Sequence, residues 1–229
     1  MKNLKKILYV LFSWLVTVGA FAQERVLELQ VGKDKMLVRI TVPENYSTSQ
    51  HYPILLGPGL DNDSLENGCR YFGLNPETHG WILVESLVHM KDRKAVLVLL
   101  DYLEANYPVK SIFALGFSAN SIDAFQIATQ YSDKLAGVIS MPGNPNLKDT
   151  SSLKKLSNQN VLMIVGEKDT YWKKKAEKAK EIMDKHKIRN KLVVVPNAGH
   201  ILDEMAGPPL FDLLEEMINT ESSGFSITN

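Results

Sequence analysis

Ser118, Asp169 and His200 are the residues of this chain whose types and order could perform nucleophilic chemistry. A serine hydroxyl is a weak nucleophile until a base takes its proton, and an imidazole base needs a carboxylate to hold it in the right tautomer. Ser118 sits in Gly116-Phe117-Ser118-Ala119-Asn120, after the apolar run Ser111-Ile112-Phe113-Ala114-Leu115 and before a helical pattern. A strand-to-helix turn of this kind lifts a hydroxyl above a sheet, and a Gly two positions earlier lets the backbone turn sharply. Asp169 lies in Gly166-Glu167-Lys168-Asp169-Thr170, after Val161-Leu162-Met163-Ile164-Val165, and His200 lies in Asn197-Ala198-Gly199-His200, after Leu192-Val193-Val194-Val195. Each is therefore expected just past the carboxyl end of a strand, where open α/β sheets carry their sites. Other roles stay open. Ser118 and Asp169 could be helix caps, and Asp203 rivals Asp169 as the carboxylate partner of His200.

The elements that must position these residues follow from hydrophobic patterning. Arg25 to Val31 and Met36 to Val42 alternate in polarity around Gly32-Lys33-Asp34-Lys35 and predict an antiparallel hairpin with one wet face. Later strands are near-continuous apolar runs: Pro53-Ile54-Leu55-Leu56, Trp81-Ile82-Leu83-Val84, Ile112 to Leu115, Gly137-Val138-Ile139-Ser140, Val161 to Val165 and Leu192 to Val195. Such strands are covered on both faces, as in a parallel sheet. Helical stripes separate them: Val96, Leu99, Leu100 and Leu103 after Asp92 and before Pro108; Ile122, Phe125 and Ala128; then Ala176, Ala179, Ile182, Met183 and His186. A last helix is predicted from about Pro209 to Ile218. The fold class is α/β: a doubly wound, mostly parallel sheet with an antiparallel N-terminal hairpin, in one domain over 23–229 with no lid domain.

The first residues are basic, and Ile7 to Ala22 is apolar and ends in Ala20-Phe21-Ala22. This is the pattern of a signal peptide over 1–22 cleaved after Ala22, the alternative being a retained anchor. Cleavage removes Lys2, Lys5 and Lys6 from a chain in which 26 basic and 26 acidic residues balance, so acids then exceed bases by three. That gives no electrostatic reason to expect nucleic acid. A single Cys69 allows no internal disulfide, which fits a periplasmic or secreted protein with a self-sufficient core. No Cys/His set has metal-ligand spacing, no glycine-rich phosphate loop is present, and neither metal nor cofactor is expected. His51, His79 and His89 fall in polar or loop segments and read as surface residues, and the lysines at 173–175, 178 and 180 as a solvated helix face.

With these residues in place the chain resembles the α/β-hydrolase superfamily, and within it the small lidless esterases of the dienelactone hydrolase, phospholipase/carboxylesterase and polyhydroxybutyrate depolymerase type. The resemblance rests on Gly116-Phe117-Ser118-Ala119, Val165-Gly166-Glu167-Lys168-Asp169 and Ala198-Gly199-His200 in that order. It implies the α/β-hydrolase fold, Ser118 as nucleophile, His200 as general base and later acid, and Asp169 as orienting carboxylate. It also implies an oxyanion hole from the backbone N–H of Ala119 and one in Pro58-Gly59-Leu60, matched to Leu60 with Gly59 as the alternative. Two positions depart from the family pattern. Pro58 replaces a common His, and Asn120 replaces the Gly that closes the serine motif, so Asn120 either enlarges the strand–helix contact or turns its amide to the site. The implied function is an exported serine hydrolase of carboxylic esters, acting on a small-molecule or polymer-end ester, with no membrane contact after cleavage. A peptidase, thioesterase or acyltransferase on the same residues and a non-catalytic binding protein of the same fold are the alternatives.

Overall fold

The computed structural model describes residues 24–57, 78–86 and 90–222, with side chains as far as Asn219. Eight strands form one sheet: β1 (Glu24–Val31), β2 (Asp34–Thr41), β3 (Tyr52–Leu56), β4 (Ile82–Ser86), β5 (Val109–Gly116), β6 (Gly137–Ser140), β7 (Asn160–Gly166) and β8 (Asn190–Val195). Their order is β1-β2-β4-β3-β5-β6-β7-β8. β1 and β2 pair antiparallel, β2 joins β4 antiparallel, and β4, β3, β5, β6, β7 and β8 run parallel. The segment proposed as a signal peptide lies outside the described residues, and no helix among those described is long and apolar enough to cross a membrane.

The hairpin turn is tighter than the sequence suggests. Val31 pairs with Asp34 and Gln30 with Lys35, so only Gly32 and Lys33 form the loop. Gly32 makes this possible with φ 62°, a conformation that costs glycine little at the first central position of a two-residue hairpin.

Among the described residues four α-helices cover the sheet: α1 (Arg93–Asn106), α2 (Asn120–Gln130), α3 (Thr170–Lys185) and α4 (Pro208–Ser222). Asp92 caps α1 by accepting from Lys94 N at 2.8 Å and Ala95 N at 3.3 Å, and the helix stops at Tyr107 because Pro108 follows. Strand pleating then sorts side chains into two cores. On one face Ile112 and Ala114 of β5 and Val161, Met163 and Val165 of β7 pack with Leu99, Phe125 and Ala176 from α1, α2 and α3. On the other, Phe113, Leu115, Leu162 and Ile164 pack with Trp81 and with Phe211 and Leu214 of α4. Burial on both faces is why these strands read as unbroken apolar runs.

One strand hides a charge. β4 extends past Val84 into Glu85 and Ser86, and Arg39 of β2 lies directly opposite Glu85. Arg39 Nε donates to Glu85 Oε2 at 2.7 Å and Nη2 lies 2.6 Å from the same oxygen, with the side chains only 7% and 5% exposed. Burial pushes the Glu85 carboxyl above the usual carboxylate range, against the pull of the Arg39 guanidinium. Arg39→Met leaves that carboxylate without its buried cation and should cost about 3–5 kcal/mol. A carboxyl whose folded pKa lies above its unfolded value is tolerated when neutral, so its contribution is retained at acid pH and lost as pH rises through the two values. Urea unfolding should therefore show a smaller gap between wild type and variant near pH 5 than near pH 8. An equal gap at both values would mean that Glu85 is not the group left stranded.

Candidate active site

The chain doubles back at β3, which has β4 on one side and β5 on the other. Loops at such a reversal leave a crevice at the carboxyl ends of the strands. Ser118 emerges there, directly after β5, with φ 53°. This is left-handed backbone in a residue with a side chain, a conformation that costs roughly 1–3 kcal/mol and persists only where neighbours hold it. They hold it from both sides. Ser118 N donates to Pro142 O at 2.8 Å, and Ser118 O accepts from Ser121 N at 3.1 Å and Ser121 Oγ at 2.6 Å. Ser121 is in turn tied to the loop after β6, where Asn144 N donates to its Oγ at 3.1 Å.

Gly116 lets α2 come this close: a Cβ there would overlap Ser121 Cα and lie 2.9 Å from Ala124 Cβ. Gly143 does the same from the other side, where a Cβ would overlap the Ser121 side chain. The closest strand–helix approach thus falls on Ser121 and not on Asn120, which is half-buried at the start of α2. That explains how the chain accommodates a side chain where the resemblance calls for Gly. The cap reading of Ser118 does not hold, because the residue at the cap of α2 is Ala119 and no side chain caps the helix.

Ser118 Oγ lies 3.0 Å from His200 Nε2, and His200 Nδ1 lies 2.6 Å from Asp169 Oδ2. An ionised carboxylate only accepts, so Nδ1 carries the ring proton and the Nε2 lone pair faces the hydroxyl. The Asp169 side chain is 8% exposed and that of His200 40%, so the carboxylate is sheltered while the imidazole edge is open to an incoming molecule. Asp169 makes two contacts at once. Oδ2 takes His200, and Oδ1 caps α3 by accepting from Trp172 N at 3.2 Å. Asp203 lies in a short 3-10 turn, Asp203–Met205, and is not the residue paired with His200.

The exits of β7 and β8 are laced together, and this sets the Asp169–His200 distance. Glu167 N donates to Val195 O and Lys168 N to Ala198 O, both at 2.9 Å, while Glu167 Oε2 accepts from Asn197 N at 2.8 Å. Gly166 sits where any Cβ would overlap Gly199 O and lie 2.6 Å from Ala198 O. Gly166→Ala should push the 198–200 loop away and part His200 from Asp169. The downfield Nδ1 proton resonance of His200 should then disappear, with a stability loss of about 1–3 kcal/mol on thermal unfolding. Persistence of that resonance would show that the loop is not held by this contact.

Ala119 is exposed, and among the described residues its N–H makes no hydrogen bond, which leaves it free to donate beside Ser118. Leu60, Gly59 and Pro58 lie outside the described residues. Aromatic rings flank the imidazole: Phe117 at 5.7 Å and Trp172 at 6.4 Å between ring centroids. Sequence reading missed this, although Phe117 adjoins Ser118 and Trp172 follows Asp169 by three. It also placed His79 on the surface, whereas His79 Nδ1 lies 2.7 Å from Glu215 Oε1 and its ring stacks on Phe211 at 5.4 Å. Among the described residues no group of His, Cys, Asp and Glu is arranged to hold a metal ion.

No protein-family model and no curated protein sequence matches the chain. Solved structures do. A dienelactone hydrolase from Anabaena variabilis superimposes with a TM-score of 0.66 at 18% identity, over 87% of this chain and 98% of that one. A fluorophosphonate-binding serine hydrolase of Staphylococcus aureus gives 0.66 at 12% identity, over 86% and 99%. A chain from Bacteroides ovatus assigned as a dipeptidyl aminopeptidase IV gives 0.68 at 13% identity over 87% of this chain, which spans only 36% of that longer protein. At such identities the likeness speaks for architecture, and with the strand order above it establishes that the chain has the α/β-hydrolase fold.

Proposed function

We propose that this chain is a serine hydrolase of carboxylic esters, exported after loss of residues 1–22. The observation that carries the reading is the continuous relay from Ser118 Oγ to His200 Nε2 at 3.0 Å and from His200 Nδ1 to Asp169 Oδ2 at 2.6 Å. His200 Nε2 takes the hydroxyl proton as Ser118 Oγ attacks the ester carbonyl. The carbonyl oxygen becomes an oxyanion, which the Ala119 N–H stabilises together with a donor from the loop after β3, assigned to Leu60. Collapse breaks the bond to the alcohol oxygen, and that oxygen leaves with the proton from Nε2. Water then attacks the acyl-serine, giving one proton to Nε2, and the acid departs as that proton returns to Ser118 Oγ. Proton balance is closed, and the reaction calls for no cofactor, nucleic acid or membrane.

The test is labelling of the folded protein with a fluorophosphonate probe. Wild type should label at one site, Ser118→Ala should not, and labelling that survives in the variant would place the nucleophile elsewhere.

A further inference from the structure

Five large hydrophobic side chains are exposed among the described residues, and two of them border the site: Tyr171, 59% exposed and two residues after Asp169, and Ile201, 39% exposed and next to His200. Trp172 stands between Tyr171 and the imidazole, with its ring perpendicular to that of Tyr171 at 5.2 Å and 6.4 Å from the ring of His200. Apolar surface therefore runs outward from His200 along the first turn of α3.

A cation ends this surface. Helical side chains lean toward the helix N-terminus, and Lys175, one turn along α3, reaches back so that its ammonium lies 4.0 Å from the centroid of the Tyr171 ring and 5.6 Å from that of Trp172. Lys35, Lys134, Lys180 and Lys191 each ion-pair with a carboxylate. Lys175 pairs with no carboxylate among the described residues, and its ammonium donates to the Tyr171 hydroxyl, a neutral partner. Aromatic faces fix an ammonium in place without neutralising it. The lysines at 173–175, 178 and 180 are thus not one uniform solvated face, because Lys175 is held at the rim of the site.

We propose that Lys175, seated on Tyr171 and Trp172, is an anion subsite of this site, and that the substrates are esters with an apolar body ending in a carboxylate. The proposal rests on the serine-hydrolase reading, which supplies the reacting end. The ester carbonyl lies at Ser118, the apolar body lies along Trp172 and Tyr171, and the free carboxylate meets the Lys175 ammonium. Lys175 lies six positions after Asp169 along α3, an axial rise of about 9 Å, which the backward lean of the lysine shortens. Short half-esters are expected to fall short of the ammonium, a point the succinate arm below tests.

The experiment compares kcat/KM for monoethyl and diethyl esters of succinate and suberate, with phenyl acetate as a small neutral reference. Wild type should prefer monoethyl over diethyl suberate by roughly twofold to fivefold, the size of one partly exposed ion pair, and show no such preference with succinate. Lys175→Met should remove the preference for monoethyl over diethyl suberate, Lys175→Arg should restore it, and added salt should weaken it in wild type. A monoester preference that survives in Lys175→Met, or a wild type that prefers the diester, overturns the subsite. Failure of the hydrolase reading looks different: phenyl acetate turnover would then be absent or would persist in Ser118→Ala.

Discussion

Replacing Ser118 by Ala should lower kcat for ester hydrolysis by about 10⁴-fold or more while leaving the fold intact. The hydroxyl is the only group within reach of His200 Nε2 in the described structure, at 3.0 Å, and methyl cannot attack a carbonyl. What remains should be the rate that the Ala119 N–H and simple binding give to water, a residual set by oxyanion stabilisation alone. Stability should hardly move. The backbone contacts that hold φ at 53° run through Ser118 N and O, and Ala keeps both. Ser118→Gly should go further, because glycine adopts the left-handed region freely and the variant sheds the strain. It should melt no lower than Ser118→Ala despite glycine's larger entropy loss on folding. An ester activity undiminished in Ser118→Ala would remove the nucleophile assigned here. A Ser118→Gly variant that melts well below Ser118→Ala would show that the turn carries no strain.

The parallel strands, and the placing of Ser118, Asp169 and His200 just past three of them, were legible in the sequence, because strands buried on both faces leave continuous apolar runs. Glu85 and Ser86 escaped that reading: polar residues normally end an apolar strand, and only the register with Arg39 shows why these two continue one. His79 was misread for a similar reason, its partner Glu215 being 136 residues away in the chain. Asn120 drew attention for the wrong contact. The motif suggests tight packing at the fifth position, but the tight spot is built by Gly116 and Gly143 around Ser121, two glycine-sized gaps that spacing alone does not reveal. The pairing of Asp169 rather than Asp203 with His200 likewise depends on the lacing of Glu167, Lys168 and Gly166 against the 195–199 loop, a contact between two strand exits that no local pattern encodes.

The proposed reaction gives Asp169 a catalytic role beside its role as a helix cap, and two substitutions should separate them. Asp169→Asn keeps an oxygen that can accept from Trp172 N, and Asn is as good a helix cap as Asp, so α3 should start as before and stability should change by only a few tenths of a kcal/mol. Facing His200 Nδ1 the exchange is severe. The amide can present its NH₂ to the ring and stabilise the tautomer with the proton on Nε2, which points a hydrogen at Ser118 Oγ where a lone pair is required. The expected loss in kcat is about 10⁴-fold, with KM little changed because Asp169 is sheltered behind the imidazole. Asp169→Ala should lose comparable activity and about 1 kcal/mol of stability besides, since nothing then caps α3. Kinetics and urea unfolding on the two variants test this directly. Equal stability losses would show that Oδ1 does not cap α3, and an active Asp169→Asn would show that the imidazole finds its tautomer without this carboxylate.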